Sequence, residues 1–183
     1  MKMKFISFLC AALALGAGGA MADSADSGCD VAGPDAYFCF GDAFSKLDIE
    51  EVEGVSFWLH KAGYLSKVLV EETGDTEVTQ GQIERRILDM VTAQAVSVGR
   101  DFDFTDLSAT TVHGVPFGTF SYRLKGARQE SAVLHSYVAV KGRVLQVVSQ
   151  ILLKSARTDI ANLEEAHAEA LRAVRIDDPS TDT

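Results

Sequence analysis

The chain has 183 residues, with 17 lysines and arginines against 26 aspartates and glutamates, a net charge of −9, 47% hydrophobic side chains and three cysteines. So acidic a surface is poorly suited to nucleic acid or anionic lipid, both of which are bound by clustered cations. A chain of this length suits one domain, with no internal repeat, that buries roughly two thirds of its unfolded surface.

In chain order, Lys2 and Lys4 come first, then an apolar stretch from Phe5 to Leu15, then the small residues of Ala20-Met21-Ala22. This is the pattern of a cleaved secretory signal over residues 1–22, with Asp23 opening the mature protein. The apolar run fades at Gly16, Gly18 and Gly19, short of the roughly 20 residues that span a bilayer. Leu9 before Cys10 disfavours a lipoprotein. The expected setting is therefore the periplasm, or secretion, with no membrane insertion after cleavage. Losing Lys2 and Lys4 and no acid deepens the charge from −9 to −11.

Residues 23–54 form an N-terminal segment. Cys29 and Cys39 flank the turn residues Gly33-Pro34, and in an oxidising compartment they are expected to form a disulfide. A redox pair would need C-x-x-C, and a metal site more soft ligands. Asp23, Asp26 and Asp30 lack the spacing of a calcium loop and read as a solvated end, as do residues 177–183.

Val55 to His60 and Tyr64 to Glu71 are β-prone runs around Lys61-Ala62-Gly63, a hairpin with Gly63 free to take positive φ. Thr79 and Gln82 make a capping box for a helix whose inner face is Ile83, Ile87, Leu88, Val91, Ala95 and Val98, stopped by Gly99. Four strands follow, at about Phe102–Val112, Val115–Leu124, Ser131–Val140 and Arg143–Leu153. They are joined by the turn His113-Gly114, the loop from Lys125 to Gln129 and the turn Lys141-Gly142. Val144 to Val148 is apolar on both sides, as in an inner strand covered on both faces. Thr158 is expected to cap a second helix with Asp159 in its first turn. Ile160, Leu163, His167, Ala170, Leu171 and Val174 point inward, and Arg172 and Arg175 complement its C-terminal end. The order hairpin, helix, meander, helix predicts an α+β domain over residues 55–176, an antiparallel sheet of about six strands covered by two helices.

Thr79 with its capped helix, Asp103-Phe104, Val112-His113-Gly114-Val115-Pro116, Ser121-Tyr122 and Lys141-Gly142-Arg143-Val144 occur in this order, and a helix at Ala170 to Ile176 closes the run. This passage resembles the PsbP-like superfamily, the α/β/α fold of an extrinsic photosystem II subunit, a Ran-binding nuclear-import factor and many exported bacterial proteins. The resemblance spans residues 79–176 and rests on element order and turn signatures. It implies a binding or assembly role and carries over no functional residue.

Catalytic motifs are missing from the residues themselves. His60, His113, His135 and His167 fall in no H-E-x-x-H pattern. His113 reads as a turn residue, and His167 as a buried, hydrogen-bonded group on the inward stripe. There is no G-x-S-x-G elbow and no phosphate loop, and Glu71-Glu72 and Glu164-Glu165 read as solvated faces. We therefore expect no catalytic residue, metal or cofactor, and an exported, non-enzymatic binding or accessory protein whose partner is an envelope protein. Phe57, Trp58 and Tyr64 are the candidate interaction patch, because aromatic anchors dominate interface energy; the competing reading of Trp58 is core. The alternative function is a small-molecule or lipid carrier, with or without hydrolase activity. It would need a pocket of several hundred Å³ between sheet and helix, with His135 or His167 at its wall.

Overall fold

The computed structural model describes residues 29–33, 36–39, 41–47, 55–73, 78–97, 99–126, 130–140, 142–152 and 158–176. The expected signal at 1–22, the acids Asp23 and Asp26 and the tail at 177–183 lie outside them. The elements are β1 (Cys29–Gly33), β2 (Ala36–Cys39), β3 (Phe44–Lys46), β4 (Val55–His60), β5 (Leu65–Glu72), α1 (Gln80–Ser97), β6 (Asp101–Val112), β7 (Val115–Lys125), β8 (Glu130–Val140), β9 (Arg143–Leu152), α2 (Thr158–Ala173) and β10 (Val174–Ile176).

The class is α+β, as the sequence order implies. A seven-stranded sheet runs β3-β4-β5-β9-β8-β7-β6, with every neighbour antiparallel. Its turns are chemically determined: Gly63, His113, Gly114 and Gly142 all take positive φ. Two successive left-handed residues, His113 and Gly114, make the tight link between β6 and β7 that matches strand twist. The pleat then sorts β9 into two faces. Val144, Gln146 and Val148 look toward α1, while Leu145, Val147 and Ser149 look toward α2, and all six are buried.

Both ends of α1 are set locally. Thr79 N donates to Gln82 Oε1 (2.9 Å), and Gln82 N donates to Thr79 Oγ1 (3.3 Å), which satisfies two orphan donors reciprocally. At the other end Gly99 has φ 65°, Arg100 N donates to Ala95 O and Gly99 N to Val96 O, a Schellman turn. Ile83, Ile87, Val91 and Ala95 then seat one helix face on Phe120, Tyr122, Val133 and Val148.

Two expectations need correction. The second helix ends at Ala173, and Val174–Ile176 are a strand, pairing Val174 with Phe38, Arg175 with Tyr37 and Ile176 with Ala36. Two β-branched residues flanking an exposed arginine suit a pleat, and β2 offers ladder partners that a last helical turn would leave unused. Arg175 still serves the helix end, its guanidinium donating to Arg172 O and Val174 O. The N-terminal segment is also more than a stapled loop. β1 and β2 form a hairpin and, with β10, a separate three-stranded sheet, closed by the Cys29–Cys39 disulfide (S–S 2.01 Å). Its apolar face, Ala32, Ala36 and Phe38, joins Trp58, Val68, Leu171 and Val174 in one core cluster. The capping role expected of Thr158 and Asp159 falls on side chains outside the described ones.

Candidate functional site

Three places in this scaffold hold chemistry that packing alone does not require. The first lies beneath α2. Ser66, Ser136 and Ser149, on β5, β8 and β9, are fully buried, and His167 descends onto them from the helix. His167 Nε2 is hydrogen-bonded to Ser136 Oγ (2.8 Å) and Nδ1 to Ser149 Oγ (2.9 Å). Thr119 Oγ1 extends the chain on one side (2.6 Å) and Ser66 Oγ on the other (3.0 Å). One neutral imidazole, donor at one nitrogen and acceptor at the other, thus ties α2 to four adjacent strands. Burial, with a further push from the charge of His135, lowers its pKa to about 3. The serine–histidine pairing looks like a nucleophile and base, but the three serines are fully buried, and among the described residues both ring nitrogens are taken by serine hydroxyls and none by a carboxylate. A hydrolase needs both access and orientation.

The second place lies on the opposite face, under the C-terminal half of α1. The register sets Lys67 opposite Val148, Val148 opposite His135 and His135 opposite Phe120, a row of side chains across four strands. His135 Nε2 is hydrogen-bonded to Gln146 Oε1 (2.9 Å). Its Nδ1, buried, finds no hydrogen-bond partner among the described residues. Burial lowers this histidine to about 4; the Lys67 ammonium pushes the same way and the Gln146 bond opposes. Lys67, Gln94, Arg100, Tyr122, His135 and Gln150 meet at a cleft of about 30 Å³. That is room for about two waters, far below the several hundred Å³ that an apolar cargo would need.

The third place is the free edge of the large sheet. β6 is twelve residues long, and all are exposed except half-buried Phe102 and Val112. Among the described residues the exposed large apolar side chains are Val96, Phe104 (43%) and Leu107 (47%). In a regular strand, positions three apart face opposite ways. Here the register shifts between Phe104 and Asp106, so Phe104 opposes Tyr122 and Leu107 opposes Phe120. The bulge turns both side chains to the α1 face. The same strand carries Asp101, Asp103 and Asp106, with Asp103 bound to Lys125 Nζ (3.0 Å).

Among the sequence-derived candidates, Trp58 is fully buried against Phe38, with ring centroids 4.2 Å apart. Tyr64 is buried in another cluster with Leu163 and Ala166, and Phe57 is half-buried below Lys67. The structure does not bring the three together at the surface; Trp58 and Tyr64 lie inside. His60 accepts the Ala62 N–H and donates to Glu169 Oε2 (2.9 Å). His113 is hydrogen-bonded to Arg172 O and lies against the Arg175 guanidinium. Glu71 pairs with Arg86; Glu72, Glu164 and Glu165 are exposed. Among the described residues no three His, Cys, Asp or Glu side chains gather as a metal would require, and no helix is long and apolar enough to cross a membrane.

No protein-family model and no curated protein matches the sequence. Solved structures do match. Cyanobacterial PsbP (CyanoP) from Synechocystis sp. PCC 6803 aligns with TM-score 0.58 at 14% identity, over 78% of this chain and 87% of that one. The protein Mog1 aligns with TM-score 0.57 at 9% identity, over 80% and 93%. The chain has the PsbP-like fold. A Bacteroides thetaiotaomicron protein matches with TM-score 0.55 at 7% identity, covering 85% of this chain and half of its own. In this PsbP-like chain the sheet edge and the α1 cleft are the features that sequence reading missed. The signals were present: Lys67, His135 and Gln146 interrupt apolar strands on one face, and Phe104 and Leu107 share a strand with three aspartates.

Proposed function

We propose that this chain is an exported, periplasmic, non-enzymatic binding protein that engages an envelope protein partner along the β6 edge. The observation that carries the reading is the edge itself. Ten of its twelve residues are exposed, Phe102 and Val112 being half-buried, with Phe104 and Leu107 turned to one side by the bulge. An exposed edge of this length is a template for pairing with another chain. Asp101 and Asp106, exposed in the same strand, favour a partner segment carrying lysine or arginine, since complementary charge steers encounter and fixes register. The buried setting of the serine–histidine network supports a role without catalysis, and the PsbP-like resemblance implies binding or assembly. The small volume under α1 weighs against a carrier of bulky apolar cargo.

A photo-crosslinker placed at Leu107 in producing cells is expected to capture a discrete protein, and one placed at Val96, also exposed but on α1, is not. Equal capture at both positions, or none at Leu107, contradicts the reading.

A further inference from the structure

The cleft beneath the C-terminal half of α1 is mostly apolar, with a polar group set into its floor. Val133 and His135 on β8 and Val148 on β9 line it from the sheet, beside Val91 and Leu124, and all five are buried. Met90, Gln94 and Arg100, each half-buried, line it around the helix end that the Schellman turn fixes. The Lys67 ammonium is engaged at one side, 5.7 Å from the centroid of the Phe57 ring.

His135 is the group that packing does not satisfy. Its Nε2 faces Gln146 Oε1, an acceptor, so the ring donates there and carries its lone pair on Nδ1. The residue is 1% exposed, and among the described residues nothing donates to Nδ1. A buried acceptor that nothing meets keeps its whole desolvation cost, and ordering one water usually costs less. Buried polar atoms in native proteins are accordingly met by water where there is room for it. The cleft has that room: about 30 Å³ takes about two waters and leaves no space for a larger ligand. A buried water also needs partners for its other bonds, about three in all. Gln94, Arg100, Tyr122 and Gln150 bring polar groups to the same cleft.

We propose that this cleft is a hydration site. One ordered water donates to His135 Nδ1, and a second links it to the polar groups of the lining and through them to solvent. The floor under the α1 end is therefore wet, and His135 is coupled to solvent although its own side chain is buried. The site is independent of the β6 edge and of any protein partner.

The test is a high-resolution crystal structure of the disulfide-bonded protein at neutral pH, repeated under xenon, which enters apolar cavities that stay dry. The expected result is a water within hydrogen-bond reach of His135 Nδ1, a second water beside it, and no xenon in the cleft. His135→Leu, which keeps an apolar side chain there and removes the acceptor, should lose the inner water. The ring nitrogen resonances of the wild type in solution should place the proton on Nε2 and leave Nδ1 bare. Xenon in the wild-type cleft, no water within reach of Nδ1, an inner water that persists in His135→Leu, or a proton on Nδ1 would each overturn the proposal. Where His135→Leu does not fold, the two wild-type crystals and the ring resonances decide by themselves.

Discussion

Acidification should loosen this fold through its two buried histidines. His135 is held down to about 4 and His167 to about 3 from an ordinary 6.5, each first by burial. Both are neutral in the folded state, whereas in the unfolded chain they protonate near 6.5. Below that pH the unfolded state holds more protons, and stability falls with pH by about 1.4 kcal/mol per histidine per unit. At about pH 5 each has withdrawn about 2 kcal/mol and the pair about 4, from a total that for a domain of this size is about 5–15. The loss from His135 levels off below about pH 4 and that from His167 below about pH 3, where the folded state protonates too. Urea unfolding of wild type and His167→Gln at neutral pH and near pH 5 isolates the effect. Glutamine can meet Ser136 and Ser149 but cannot take up a proton, so the variant should show about half the acid-dependent loss, whatever its absolute stability. Equal losses in the two proteins would refute the assignment of a neutral, buried His167.

Two other substitutions probe the packing and the small sheet. A Cβ at Gly118 would sit 2.5 Å from Tyr137 Cζ, 2.6 Å from its hydroxyl and 2.8 Å from Gln80 Nε2, and the Tyr137 ring is held by its bond to Glu84 Oε2 (3.0 Å). Gly118→Ala should therefore cost about 1–3 kcal/mol as overpacking, read as a lowered thermal midpoint; an unchanged midpoint would contradict the close approach. Replacing Cys29 and Cys39 together by serine removes a link across ten positions, worth about 3 kcal/mol in the chain-entropy account. A urea midpoint equal to that of the oxidised wild type would show that the β1–β2 hairpin needs no staple.

Local chemistry was legible in the sequence wherever it decides the structure. Thr79 with Gln82, Gly99, and the glycines at 63, 114 and 142 each mark a boundary that the structure places where the pattern did. The apolar run from Val144 to Val148 correctly announced a strand covered on both faces. What stayed hidden depends on distant partners. β1, β2 and β10 are three to five residues long and rich in turn formers or short of periodicity; they become strands only because β2 meets β10 from the far end of the chain. Register was equally invisible. Ser66, Ser149, Ser136 and Thr119 read as ordinary strand polars until pairing aligns them under His167. Lys67 and His135 share the α1 face only because both flank Val148. Trp58, the natural aromatic anchor by composition, is taken by the core, because the β1–β2 hairpin lays Phe38 over it.

The central claim, an exported chain working by protein contact, is met most directly by native mass spectrometry of the chain recovered gently from the envelope fraction of its own cells. The account predicts a polypeptide that has lost residues 1–22 and carries the two-hydrogen deficit of the Cys29–Cys39 bond, with a protein-sized increment that disappears in Leu107→Lys. Recovery of the full-length chain from the cytoplasm, or an increment that survives Leu107→Lys, would contradict it.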